Sequence, residues 1–335
     1  MEQIVQNALG LAKKPKIVFI NSAGNEWHNE VAEYYNIPVI DLSQTEDYET
    51  IICDALKTSV SYKEEAFNVE TVSVDTNIMS FNICVGGSTT NEWDNRKEAV
   101  IELLNDSGAD IISMQEVSPS QYNYIAENID EKYEVIHYIR EDANTQAEGL
   151  AIAYNTEMFE LVSKDRFWLS ETPDVPSLGW DASYYRICVN ALLKHKTTGE
   201  LLDVYNVHLD HTGSKARENG LKMIVERASK KGYNTAVMGD FNFQPTATDS
   251  YNAIANDMTD CMVNATATES GGTFHNFGLQ NNTKPIDYIF VSNENMTPLT
   301  FDIVTEQFTN TAGELKYYSD HYPIKSTVKV IYEID

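Results

Sequence analysis

Short apolar runs that stop on a polar residue recur along most of this chain. Ala236, Val237 and Met238 run into Gly239-Asp240 and then Phe241-Asn242, which predicts a buried strand ending in a turn. Asp240 and Asn242 are two apart, so an extended backbone points both the same way. Ile78–Ile83 carries Asn82 at its end, and Ala109–Met114 stops at Gln115-Glu116. Leu201–Leu209 puts Asn206 and His208 on one face, and Pro285–Val291 begins beside Asp287. Ser319-Asp320-His321 leads into a closing strand, Ile324–Tyr332. Further strands are expected near Tyr133–Tyr138, Gly149–Tyr154, Phe159–Trp168 and Arg186–Lys194. Helical spacing of apolar residues marks Asp94–Asn105, Ser120–Asn128 and Lys215–Lys230. The long loop Leu169–Tyr184 is of a length that is often functional in a compact domain.

Residues 1–71 read differently. Lys16–Ile20 and Pro38–Leu42 are short apolar strands, alternating with helical stretches at Glu26–Tyr35 and Glu46–Leu56. This rhythm suggests a partial α/β unit. The run His28–Ile40 resembles a fragment of an SGNH-type esterase, but no nucleophile serine motif precedes it and no Asp-x-x-His follows. The expectation is a non-catalytic appendage over residues 1–71, followed by a main domain over residues 72–335.

Composition narrows the partners. The formal net charge is −27 over 335 residues, with 42% hydrophobic residues, enough to build a sizeable core. Residues 1–71 carry 5 basic and 12 acidic side chains and the remainder 19 and 39, so the acidity is spread along the chain and is not a tail. No Lys/Arg run marks a nucleic-acid footprint, and the overall field repels a polyanion. A bound cation would change that locally. The four cysteines are far apart, without a CxxC pair, so neither a thiolate zinc site nor a disulfide framework is indicated. No apolar run near the N-terminus reads as a signal peptide or membrane span. The default location is cytoplasmic, with secretion open if a leader has been trimmed. Nothing points to an obligate protein partner.

Asn82, Glu116, His208, Asp240, Asn242, Asp287, Asp320 and His321 each have a plain structural explanation singly, as a cap, a turn or a core histidine. All eight fall at the edge of an expected apolar strand, which is where an α/β enzyme builds its site. At this point the chain resembles the endonuclease/exonuclease/phosphatase superfamily, the deoxyribonuclease I-like proteins. The markers are Ser80-Phe81-Asn82, Gln115-Glu116, Asn206 to His211, Gly239 to Asn242, Ile286 to Ile289 and Ser319-Asp320-His321, in family order over residues 76–333. Phe167 to Pro173, Gly179-Trp180-Asp181, Arg186 and Thr273-Phe274-His275 resemble a bacterial branch of mostly unassigned substrate, with some likeness to poly(A) deadenylases and nocturnin.

The resemblance implies a four-layer α/β/β/α sandwich of two mixed sheets, with the N-terminal α/β piece appended. It implies a Mg²⁺-dependent phosphoesterase, with Mn²⁺ as a substitute, that hydrolyses a phosphodiester or phosphomonoester by in-line attack of water. Glu116, supported by Asn82 and Asp320, would hold the metal. His208, Asp240, Asn242, Asp287 and His321 would be catalytic, and Arg186 and Asn206 would meet the substrate. The acidic charge favours a small phosphorylated compound or single-stranded nucleic acid. The alternative is a non-catalytic binding module on the same scaffold, since fold does not decide function.

Overall fold

A computed structural model describes residues 70–87, 91–140 and 148–334, together with two short segments nearer the N-terminus. The chain divides into two compact units, Met1–Glu70 with Asp335, and Thr71–Ile334. In the first, strands β1 (Phe19–Asn21) and β2 (Val39–Asp41) pair in parallel. The helices expected at 26–35 and 46–56, and most of the esterase-like run, lie outside the described residues.

The second unit is built on two mixed sheets. One has six strands, in the order β11 (Met258–Asp260), β13 (Asp287–Ser292), β10 (Asn234–Asp240), β9 (Leu201–His208), β8 (Ile187–His195) and β7 (Phe159–Trp168). The other has seven, in the order β12 (Ala267–Thr268), β14 (Met296–Ile303), β17 (Ile324–Ile334), β3 (Glu70–Asn82), β4 (Ile111–Val117), β6 (Gly149–Asn155) and β5 (Tyr133–Ile139). A small hairpin of β15 (Phe308–Thr309) and β16 (Leu315–Lys316) stands apart from both. Each sheet has one parallel pair well inside it, β3 with β4 and β9 with β10. The C-terminal ends of these pairs carry Asn82, Glu116, His208 and Asp240.

The period of two along each strand explains the layers. In β6, Leu150, Ile152 and Tyr154 join the core between the sheets, while Ala151 and Ala153 face the opposite way. That outer face packs on helices α1 (Lys97–Asp106) and α2 (Pro119–Asn128) through Val100, Leu104 and Ile125. Met238 of β10 points into the same inter-sheet core, and its neighbour Val237 points to the other side. There Leu221, Ile224 and Val225 of α3 (Ser214–Lys231) and Ile254 of α4 (Thr248–Ala255) cover the six-stranded sheet. A single turn, α5 (Cys261–Asn264), follows β11. The outcome is the expected four-layer sandwich. α2 starts on a capping box, in which Ser118 and Gln121 exchange side-chain and backbone bonds, with Pro119 in the first turn.

β14 and α4 are among the elements not read from the pattern, and β3 was read too short. β14 contains Pro298, and its pairing with β17 slips between Pro298 and Thr300, which breaks the expected alternation. α4 is short and lacks a side-chain cap. β3 starts some eight residues before its apolar stretch, because residues 71–75 alternate only between half-buried and exposed.

Gly239 allows the two central strands of the six-stranded sheet to meet at the site. Its φ is +151°, and a Cβ there would lie 1.9 Å from the carbonyl oxygen of Val207. Any side chain would push β10 away from β9 just before Asp240. Gly239→Ala is therefore expected to destabilise the fold by at least about 2 kcal/mol, read as a lower urea midpoint. An unchanged midpoint would mean the strands can part without cost.

Candidate active site

Strand register alone sets three functional side chains in a row. Asp240 pairs with His208 on one side and with Asp287 on the other. Asp240 is 2% exposed, and one of its oxygens gathers the site. Oδ2 accepts from Asn82 Nδ2 at 3.0 Å and lies 3.5 Å from His208 Nε2 and 3.7 Å from His321 Nε2. Oδ1 accepts from the backbone N–H of Asn242 at 2.8 Å. That bond needs a sharp turn, and Asn242 supplies it with φ at +54°, a region Asn tolerates better than most residues. Its amide then donates to the carbonyl of Leu209 at 3.0 Å.

Asn82 joins the sheets at this rim. The same Nδ2 donates to Glu116 Oε1 at 3.1 Å, and Oδ1 accepts from the N–H of Cys84 at 3.1 Å. The second oxygen of Glu116 accepts from the N–H of Val85 at 3.0 Å. Glu116 itself sits at φ +59°, and the register of β4 with β6 slips beside it. Such a bulge re-aims a side chain at a strand end. Ser319 links the last segment to this one, since its hydroxyl donates to the carbonyl of Asn82 at 2.6 Å and lies 3.2 Å from Asp320 Oδ1.

His321 is 5% exposed and bonds Asp287 Oδ2 through Nδ1 at 2.9 Å. Burial alone would disfavour the imidazolium, but the carboxylates of Asp287, Asp240 and Asp320 reverse this and hold His321 protonated. Burial pushes Asp240 up, against the opposing pull of His321, and the Asp287 charge adds to the rise. His208 goes the other way. Burial lowers it well below its ordinary value, and the charges of Arg186, His321 and Arg140 lower it further, so it is neutral. One rim thus presents a charged and a neutral imidazole on either side of one carboxylate.

The segment Thr273-Phe274-His275 fastens the Asp287–His321 pair. Thr273 Oγ1 accepts from the N–H of Asp287, and its carbonyl accepts from the N–H of Tyr322. The ring of Phe274 lies against His321, with centroids 4.9 Å apart.

Two expected residues sit away from this rim. Asn206 is fully buried. Its amide donates to the carbonyls of Met114 and Ala151 at 2.9 and 2.8 Å, and its oxygen accepts from Gln115 Nε2 at 2.9 Å. It ties one sheet to the other and has no group left for substrate, so the expected substrate contact does not fit its position. Arg186 is buried beside His208 in a separate recess, with Nε 3.8 Å from Asp210 Oδ2. Trp168 packs in the core between the sheets.

Sequence reading missed Arg96 and Asp210. Arg96 is 2% exposed and donates to the carbonyls of Ile83, Cys84, Asn91 and Tyr318, which pins the loop after β3 to the segment before Asp320. Asp210 collects the N–H groups of Ser183, Tyr184, Thr212 and Gly213. Asp181 takes those of Lys215 and Ala216 at the start of α3. The loop Leu169–Tyr184 is thereby tied to the first turn of that helix. Asp210 takes two of its partners from the turn just after it, and its others, like most of those of Arg96, come from separate segments at no regular spacing.

Among the described residues, one ligand atom each from Asp240, Asp287 and His321 lies within 4.8 Å of the others, the imidazole nitrogen being able to ligate only when it carries no proton. Asp287 Oδ1 is buried without a hydrogen-bond partner. Carboxylate oxygens from Glu116 and Asp320 line the same rim. Hard oxygen donors in this number fit a hard divalent cation.

The sequence profile of the Endonuclease/Exonuclease/phosphatase family matches residues 79–321. The chain belongs to that family. A solved structure of a family protein from Bacteroides thetaiotaomicron is 30% identical, with a TM-score of 0.73, and covers 78% of this chain and 97% of its own. The mannosyl-6-phosphatase of Bacteroides thetaiotaomicron VPI-5482 is 31% identical, with a TM-score of 0.70, covering 76% of this chain and 99% of its own. The CCR4-Not 3'-5'-exoribonuclease subunit Ccr4 of Mycosarcoma maydis is 28% identical over 162 residues, which span 39% of this chain and only 24% of that protein. This family member is a hydrolase of the phosphoesterase and nuclease type. Among the described residues, no helix is long and apolar enough to cross a membrane.

The neutral state of His208 has a thermodynamic signature. In the unfolded chain the imidazole protonates near its ordinary 6.5, while in the folded chain it stays neutral to lower pH. Unfolding then takes up a proton, so stability falls as pH drops below that value. Compared with His208→Gln, the wild-type chain should lose up to about 1.4 kcal/mol more per pH unit between pH 6 and 5. Parallel urea midpoints for the two chains across this window would place a charge on His208.

Proposed function

We propose that this protein is a Mg²⁺-dependent phosphoesterase that removes or cleaves a phosphate ester of a small phosphorylated compound, such as a sugar phosphate. The observation that carries this reading is the convergence on Asp240 Oδ2 of Asn82 from one sheet and two differently charged histidines. The likeness to a mannosyl-6-phosphatase over nearly that whole structure supports the substrate class. The acidic chain, at −27, supports a small substrate over a long polyanion.

Glu116 is the main metal ligand in this reading, with Asp320 adding an oxygen. Asn82 orients Glu116 through the amide it donates. Mn²⁺ would substitute, since carboxylate and water ligands suit both ions. The cation supplies Lewis-acid stabilisation of the phosphoryl and leaving oxygens. Asp240 and Asn242 position the attacking water and the phosphate, and Asp240 is the group placed to take a proton from that water. His321, kept charged by Asp287, holds a phosphoryl oxygen. His208 donates a hydrogen bond to the developing negative charge from a neutral ring, which leaves the overall charge balance of the rim unchanged.

The test is phosphate release from mannose 6-phosphate in magnesium, with an EDTA control and with single-stranded and duplex oligonucleotides in parallel. Magnesium-dependent release that disappears in Glu116→Gln is the expected result. Fragmented oligonucleotides with intact sugar phosphate would move the substrate to nucleic acid. No turnover of any ester, with no magnesium-dependent rise in melting temperature, would leave a binding module as the reading.

Asp287→Asn keeps the shape of its side chain but removes the charge that holds His321 protonated. It should lower kcat by about 10² to 10⁴, with KM changed far less. A kcat within a few-fold of wild type would assign the imidazolium no catalytic part.

A further inference from the structure

A recess of about 200 Å³, counting its open mouth, lies on the far side of His208 from Asp287 and is lined by Arg140, Glu148, Arg186 and His208. With its open mouth discounted the recess is only water-sized, so it meets a single group of a molecule at that mouth and not a whole ligand. A chain with 24 basic and 51 acidic side chains places two arginines here together.

Among the described residues, these arginines keep unused hydrogen-bond donors. Arg186 is 7% exposed, and its Nε is buried without a hydrogen-bond partner there. Asp210 Oδ2 lies 3.8 Å from its Nε, but both oxygens of Asp210 are already taken by backbone N–H groups. Arg140 pairs with Glu148 through Nη1 at 2.7 Å, and its Nε is buried without a hydrogen-bond partner. A buried guanidinium with unused donors is costly unless an anion completes it. The exposed ring of Tyr184 packs against both, 5.2 Å from Arg140 and 5.9 Å from Arg186. Burial first, and then the Arg140 charge, lower the pKa of Arg186, against the opposing pull of Glu148, Asp240 and Asp210.

The backbone holds Arg140 in place. Its N–H donates to the carbonyl of Glu148, and its carbonyl accepts from Trp168 Nε1. His208 borders the recess and also lies 3.5 Å from Asp240, so a single imidazole separates the recess from the hydrolytic rim.

We infer that Arg140 and Arg186 form a second phosphate subsite beside the hydrolytic centre, and that the preferred substrates are small molecules with two phosphate groups. This rests on the phosphoesterase reading of the rim. Two guanidinium forks match the several oxygens of a phosphate dianion better than a single carboxylate. The second phosphate sits in the recess while the first is hydrolysed on the other side of His208.

Two measurements test this. The first is kcat/KM in magnesium for a hexose bisphosphate and for the matching hexose monophosphate. Wild type should favour the bisphosphate, and Arg140→Gln should cut that preference by about tenfold or more, with Arg140→Lys between them. The second is calorimetric titration of metal-free protein with inorganic phosphate. Binding should weaken to a similar degree in Arg140→Gln, whose melting temperature checks that it is folded. An unchanged preference together with unchanged phosphate binding in Arg140→Gln overturns the subsite. If wild type hydrolyses neither ester, the hydrolytic reading fails, and the titration alone decides: Arg140-dependent binding sustains the subsite and Arg140-independent binding removes it.

Discussion

One side-chain amide holds the two halves of this site together. Asn82 stands at the end of β3 in the seven-stranded sheet and donates both to Glu116 of the same sheet and to Asp240 of the other. Two carboxylates that would otherwise repel share a neutral donor. The distance between the sheets at the rim is set by that bridge. Deeper between the layers, Gln115 and Asn206 repeat the device, one residue pair removed from the rim. Both links are buried polar bonds in a mostly apolar interface, and each would be costly to leave half-made. They fix one alignment of two sheets that apolar packing alone would let slide.

The electrostatics of the rim follow from that alignment. A carboxylate at 2% exposure is a poor base when it stands alone and a strained one beside a second acid. Here the second acid, Asp287, is spent on His321 Nδ1, and the resulting imidazolium faces Asp240. The other histidine stays neutral because it is buried, and the arginines behind it add to the effect. Arg186 and the His321 imidazolium therefore stand close together in a strongly acidic chain. Arg96 plays a parallel part on the other side, where its buried guanidinium holds the loop after β3 and adds positive charge near Glu116 and Asp320.

Much of the site could be read from the chain because polar residues interrupt apolar runs only where strands end. Asn82, Glu116, His208, Asp240 and Asp287 each sit at such an interruption, and each stands at a strand end in the structure. The reading failed for Asn206, where period two places it on the same face as His208. Both do face the same way, but two residues along β9 is enough to move a side chain from the rim into the dry space between the sheets. Depth along a strand is invisible to periodicity. Arg140, Arg96 and Asp210 were illegible for another reason. Most of their partners are backbone groups or side chains that loops and other segments bring up at no regular spacing.

By itself, the sequence determined the strands and helices, the alternation that sorts side chains between the inter-sheet core and the two helical layers, and the polar residues available at strand ends. These are local properties, set by the spacing of apolar residues over a few positions. Only the tertiary structure decided which of those residues meet. Strand order brings Asp240 between His208 and Asp287, and sheet packing brings Asn82 across to it. The protonation of the two histidines, one charged and one neutral, also belongs to the folded chain. It depends on distances of a few ångströms between groups up to about a hundred residues apart, and Coulomb energy follows distance in space and not separation along the chain.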